Sequence, residues 1–241
     1  MLNPQADELN RSDPADVPAF VRLFSQGKEH RLVFWRHGSR SVESTDSCFC
    51  LLSAAAVKRI FLTLAVLTSL LLIATVVYGL SIGDAASGDP KVQSKIGYHM
   101  LLGMGTLTFA TLVHAISLTY FMGTGRWIEE TSEAYSLGDD FHKQNQQMKY
   151  RMLPGLTACI LLLITTGALG AVADPATPMS LDGVLGMTSS QIHFFVSITT
   201  VLVNLAVNFT QYMAIAENSQ VVERVLQEVR KIRAERGLPV E

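Results

Sequence analysis

Two histidines, His99 and His193, each head a polar stripe on an otherwise apolar helix, and they are the residues here best suited to chemistry. The first stripe lies in His99 to Ser117, HMLLGMGTLTFATLVHAIS. At about 100° per residue, His99, Gly103, Thr106, Ala110, His114 and Ser117 share one narrow face. A second stripe begins 94 residues later, where Ser197, Thr200, Asn204, Asn208 and Gln211 stand in the places of Gly103, Thr106, Ala110, His114 and Ser117. The same offset aligns Glu129 with Glu223 and carries the first apolar segment onto the third. The chain therefore reads as two tandem hairpins in parallel orientation.

Neutral imidazoles on two facing helices are what axial ligation of a b-type haem requires. Gly103 and Gly105, a turn further in, leave room for a flat ring. The chain has no C-x-x-C-H for covalent attachment, and the inner half offers only His114, opposite Asn208. The plain alternative is structural, since interfacial histidines also cap helices or bond loop carbonyls. The inner group is His114 and Ser117 on one helix, with Thr200, Asn204, Asn208 and Gln211 on the other. Such side chains are costly against lipid and are expected to face the bundle interior. They read as interhelical hydrogen-bond glue, with a wet path for a proton or small solute as the sharper reading and His114 as its titrating group. No Asp, Glu, Lys or Arg falls within any span, which favours glue over a path.

The elements that must position these residues are membrane helices. The 241 residues are 49% hydrophobic and 17% charged, against about 25% charged in soluble domains. Four uncharged apolar runs, 60–80, 97–122, 153–173 and 192–216, are each long enough for a hydrocarbon core of about 30 Å. The expected fold is all-α, an integral membrane bundle of four transmembrane helices over 57–217. Pro154 is placed in the first turn of the third span, where proline is tolerated. Gly167-x-x-x-Ala171 predicts close helix packing. Asn208-Phe209-Thr210 matches a glycosylation triplet but sits inside a span.

Segment 1–56 reads as a flexible, polar cytoplasmic segment. Val57-Lys58-Arg59 directly before the first span also looks like the natural start of a membrane protein, with the upstream start over-called. Within this segment, Arg36-His37-Gly38-Ser39-Arg40 resembles the R-H-G-x-R signature of histidine phosphatases over five residues. That family implies a large soluble α/β domain. Here a span begins about twenty residues later, so the motif reads as juxtamembrane cations. The chain has three cysteines. Cys159 reads as a packing residue, and Cys48 and Cys50 as inert thiols or, before a span, an acylation site.

After the second span, GTGRWIEETSEAYSLG continues as helix, with Gly123 and Gly125 loosening it and Arg126 and Trp127 as interfacial anchors. GDDFHKQNQQMKYR reads as a loop or short helix returning to the third span. In the tail 218–241, Val222, Val225, Val229 and Ile232 form a coiled-coil-like a/d seam. The seam should pack on the middle segment or on another copy. Gly237 and Pro239 end that helix.

Lys and Arg set the orientation. They cluster before the first span (Arg31, Arg36, Arg40, Lys58, Arg59), in the middle segment (Arg126, Lys143, Lys149, Arg151) and in the tail (Arg224, Arg230, Lys231, Arg233, Arg236). The first Pro/Gly loop has only Lys91 and Lys95, and the second has neither residue type. Both termini are thus expected in the cytoplasm, in a multi-pass protein of the cell membrane. A net charge of −2 points to no nucleic-acid partner. No hydrolase or transferase constellation is present, so no enzyme activity is expected. Three functions remain. The first is an accessory or scaffolding subunit of a membrane complex, holding a partner or a second copy through its tail. The second is a b-type haem electron-transfer subunit with His99 and His193 as axial ligands. The third is a small-solute or proton-conducting protein.

Overall fold

In α1, Glu43–Leu80, the apolar run continues upstream into helix without a break, because Ser53-Ala54-Ala55-Ala56 offers nothing to stop it. The structure is a computed structural model that describes the backbone of residues 43–239 and the side chains of 56–239. The R-H-G motif and the first 42 residues lie outside the described residues, as do the side chains of Cys48 and Cys50. Contacts divide the chain into Met1–Phe49 and Cys50–Glu241, and the helical bundle belongs to the second unit.

Three more helices complete the architecture: α2, Pro90–Tyr135; α3, Asp140–Val172; and α4, Ser189–Glu235. A single 3-10 turn, Val184–Gly186, precedes α4, and no strand occurs among the described residues. All four helices are long and apolar enough to cross a membrane. The protein is thus an all-helical, multi-pass candidate for a bilayer.

The start signals are local. Asp89 caps α2 by accepting from the Lys91 amide at 2.9 Å, and Pro90 opens the helix. Thr188 and Gln191 form a reciprocal capping box at the start of α4. Just before it, Asp182 accepts from the Ser189 amide at 2.7 Å and the Ser189 hydroxyl at 2.9 Å, tying the second loop to that helix end.

With 46 and 47 residues, α2 and α4 are each roughly 70 Å long at about 1.5 Å per residue. They run well past a hydrocarbon layer of about 30 Å. Two expectations are corrected here. The polar run 140–151 is neither loop nor short separate helix but the first turns of α3. Pro154 therefore lies inside α3, not in its first turn. α2 runs through Gly123 and Gly125 and continues past the second span, as expected.

Polar groups face inward and large apolar ones outward. Leu70, Val77, Leu101, Met104, Ile164 and Leu202 are all exposed, the disposition a lipid environment stabilises. Inside, Leu72, Ala110, Leu163 and Val201 form a small core at the end carrying the two histidines. A larger core continues to the other end through Phe121, Ile128, Met148, Ile215, Val222 and Val225. The tail seam thus packs on the middle segment of its own chain. Val222, Val225 and Val229 are buried in that core, with Trp127, Tyr135 and Phe141 against it.

Candidate functional site

The site is built in layers along the inside of the bundle. In the outermost layer His99 of α2 and His193 of α4 meet, with ring centroids 6.2 Å apart and planes at 78°. Each imidazole is seated on a glycine of the neighbouring helix. A Cβ at Gly79 of α1 would lie 2.8 Å from His99 Cε1, and one at Gly170 of α3 would lie 3.2 Å from His193 Cε1. Any larger residue would displace the ring, so glycine here is a requirement of close approach. Tyr78 stacks on His99 at 6.5 Å between centroids. Nδ1 of both histidines is buried with no hydrogen-bond partner among the described residues. Both rings line a cavity of about 570 Å³.

That cavity lies among all four helices. Its walls are mostly apolar or small: Leu72, Gly79, Gly103, Gly167, Gly170 and Val201. Gly103 lines it as expected. Gly105 does not; it is exposed, and nothing lies within 4 Å of where its Cβ would be. Gly167 brings α3 against α2, with its Cβ position 3.1 Å from Leu107. The expected small-residue contact therefore holds at that position.

A layer of hydroxyls comes next. Thr75 and Thr106 hydrogen-bond at 3.1 Å, and Thr166 and Thr200 at 2.7 Å. The threonines of α1 and α3, like the glycines that seat the histidines, are 91 residues apart, not the expected 94. From Gly79 to His99 is 20 residues and from Gly170 to His193 is 23, so the second connection is three residues longer.

Further in lies the expected polar group, fully inside the protein. His114 and Gln211 are 0% exposed, Asn204 1% and Asn208 5%. His114 Nδ1 and Gln211 Oε1 are 3.1 Å apart, and the Asn208 amide donates to Asn204 Oδ1 at 3.3 Å. Ser117 donates to the Met152 sulfur at 3.3 Å. The stripe thus faces the interior, but the deeper histidine pairs with Gln211 and not with Asn208.

A final layer is one that sequence reasoning missed. Asn145 of α3 donates to Asn218 Oδ1 at 2.8 Å, and Asn218 donates to Thr124 Oγ1 at 2.9 Å. The only sequence signal was Asn218 lying 94 residues after Thr124. Exposed ion pairs flank this end: Arg126 with Glu130 at 2.9 Å and Arg151 with Glu217 at 2.7 Å.

Chemically, the outer layer offers two imidazole rings and a largely apolar chamber. Among the described residues no three His, Cys, Asp or Glu side chains gather into a metal-ligand group. The donor set therefore suits an axial pair and not the four-ligand cage of a structural zinc. Compared with known proteins, the chain matches no family model, no curated protein and no solved structure. Function must be argued from this geometry.

Proposed function

We propose that this protein is a membrane electron-transfer subunit that holds one b-type haem between His99 and His193. The carrying observation is the spacing of the two rings. His99 and His193 would hold the iron, and their rings come close enough across the bundle for one group to touch both. The observed separation is 6.2 Å. The chamber supports the reading in size and character, since about 570 Å³ falls within the roughly 300–1,000 Å³ of cofactor pockets, which are mostly apolar. When bound, haem would supply one-electron exchange. The chain's own residues fix the two imidazoles, exclude water with apolar walls and keep the ring seats small. His114 is buried against Gln211, with the packed Asn204–Asn208 pair beside it, so the reading is of one haem and not two.

The tail seam that the accessory-subunit reading would use packs Val222, Val225 and Val229 within the chain, while Ile232 stands outside that core. We also infer that the two hairpins are a duplication with a pseudo-twofold axis along the bundle. His99 with His193, and Thr124 with Asn218, each join positions 94 apart. Equivalent positions that touch must lie on such an axis. Lys and Arg placement puts both termini and the Asn145 layer in the cytoplasm, and the histidine pair toward the outer face of a cell membrane.

The test is a reduced-minus-oxidised visible spectrum of protein expressed with ample haem and purified in mild detergent. Wild type and His114→Ala should show a low-spin haem signal, and His99→Ala and His193→Ala should each lose it. A haem-free wild type, or a signal that depends on His114 and not on the outer pair, overturns the proposal.

A further inference from the structure

The deep polar group holds more hydrogen-bonding capacity than it uses. His114 Nε2, Gln211 Nε2, Asn204 Nδ2 and Asn208 Oδ1 are all buried without a hydrogen-bond partner among the described residues. These side chains are at most 5% exposed. They form one group and not scattered defects: Asn204, Asn208 and Gln211 share one face of α4, Asn204 contacts Asn208, and His114 contacts Gln211. Unpaired buried polar atoms cost about 1–3 kcal/mol each, and native interiors rarely keep several together.

The open positions identify what would satisfy them. With His114 Nδ1–H donating to Gln211 Oε1, the neutral ring leaves Nε2 as an acceptor and the Gln211 amide as a donor. The asparagine pair leaves one donor, Asn204 Nδ2, and one acceptor, Asn208 Oδ1. Exchanging O and N in either pair does not alter this balance, because each pair always leaves one donor and one acceptor. A cation needs acceptors alone, and an anion needs donors alone. Water, with two hydrogens and two lone pairs, matches both.

We propose that His114, Asn204, Asn208 and Gln211 form a hydration site in the middle of the membrane domain, binding ordered water that bridges the two pairs. Buried waters occupy sites of this kind, making about three hydrogen bonds to groups otherwise unsatisfied. The bound water completes the neutral His114 ring. The site lies fifteen residues along α2 from His99, about 22 Å at about 1.5 Å per residue, so it stands apart from the haem reading.

The experiment is water-to-protein polarisation transfer by solid-state NMR on full-length protein labelled at histidine and alanine, in lipid bilayers, with Ala110→Gly assigning the Ala110 signal. His114→Ala assigns the His114 signal among the six histidines. The expected result is transfer to the wild-type His114 ring well above that to Ala110, which is also fully buried. The transfer should fall at least about fivefold in Asn208→Leu/Gln211→Leu. Transfer to His114 no greater than to Ala110 overturns the proposal, as does full transfer in the double variant. The wild-type comparison is decisive even where the double variant fails to fold.

Discussion

Glycine seats under the histidines give the sharpest test of whether the outer pair is a ligand set. In Gly79→Ala the new Cβ would sit 2.8 Å from His99 Cε1, and in Gly170→Ala 3.2 Å from His193 Cε1. Carbon atoms pack at about 3.5–4.0 Å, so the first change forces at least about 0.7 Å of movement and the second about 0.3 Å. Metal–ligand distances tolerate roughly ±0.2 Å. Gly79→Ala should therefore weaken haem binding at least about tenfold, the scale on which misplaced ligand supports act. Gly170→Ala should weaken it no more than about threefold, and Gly105→Ala, with open space around its Cβ position, should leave it unchanged. Gly105→Ala, in a helix interior with open space, should gain up to about 1 kcal/mol in folding, whereas the crowded Gly79→Ala should not. The assay is haem titration of apoprotein in detergent, with thermal unfolding of the same samples. Stoichiometric haem in Gly79→Ala with unchanged affinity and spectrum would refute the reasoning. So would a loss that ranks with thermal stability and not with the crowding of the two rings.

Three other parts of the fold carry predictions of their own. Asp182 is held below the ordinary aspartate range by its hydrogen bonds from the Ser189 amide and hydroxyl. Its contribution is therefore present above the unfolded-state pKa and lost as pH falls through the lower folded value. Hydrogen exchange at the Ser189 amide should accelerate as pH is lowered through that region, beyond the intrinsic rate, and should already be fast in Asp182→Asn at neutral pH. Asn218→Ala removes two buried hydrogen bonds, to Asn145 and to Thr124, leaving the Asn145 amide only Thr124 at 3.2 Å, and should cost about 1–3 kcal/mol, read as a lower Tm. Val225→Asp places a carboxylate in a fully buried core position, and several kcal/mol of destabilisation should result from an unpaired buried charge. If that variant is as stable as wild type, the tail does not pack on α2 and α3.

What was legible in the sequence was whatever a bilayer enforces. The apolar runs had to be helices because unpaired backbone is too costly in lipid, and the polar stripes had to turn inward for the same reason. Outside the bilayer that pressure disappears. Residues 140–151 are mostly polar and carry only Phe141, Met148 and Tyr150 as apolar residues, so they resembled a loop. They are helical because Met148 and Asn145 are drawn into the core and the Asn218 layer. The tail seam was visible, but the surface it packs on was not, since an a/d pattern specifies a partner's chemistry and not its address. The site was legible by halves. Histidine in a span is rare enough to stand out, whereas glycine and threonine are ordinary there. Thr75-x-x-x-Gly79 and Thr166-x-x-x-Gly170 acquire meaning only when the rings they seat are in view, and the three extra residues of the second connection hid their correspondence. The 94-residue correspondence was therefore readable in the helices that carry the histidines, while the 91-residue correspondence of the helices that hold them was not. An offset taken from one pair of helices need not carry to the other pair, because loop length is free to drift while the axial contacts are not. For a half-buried pair such as His99 and His193, the glycines opposite them are the more discriminating sign of a site, because a histidine retained for capping has no need of a neighbour without a side chain.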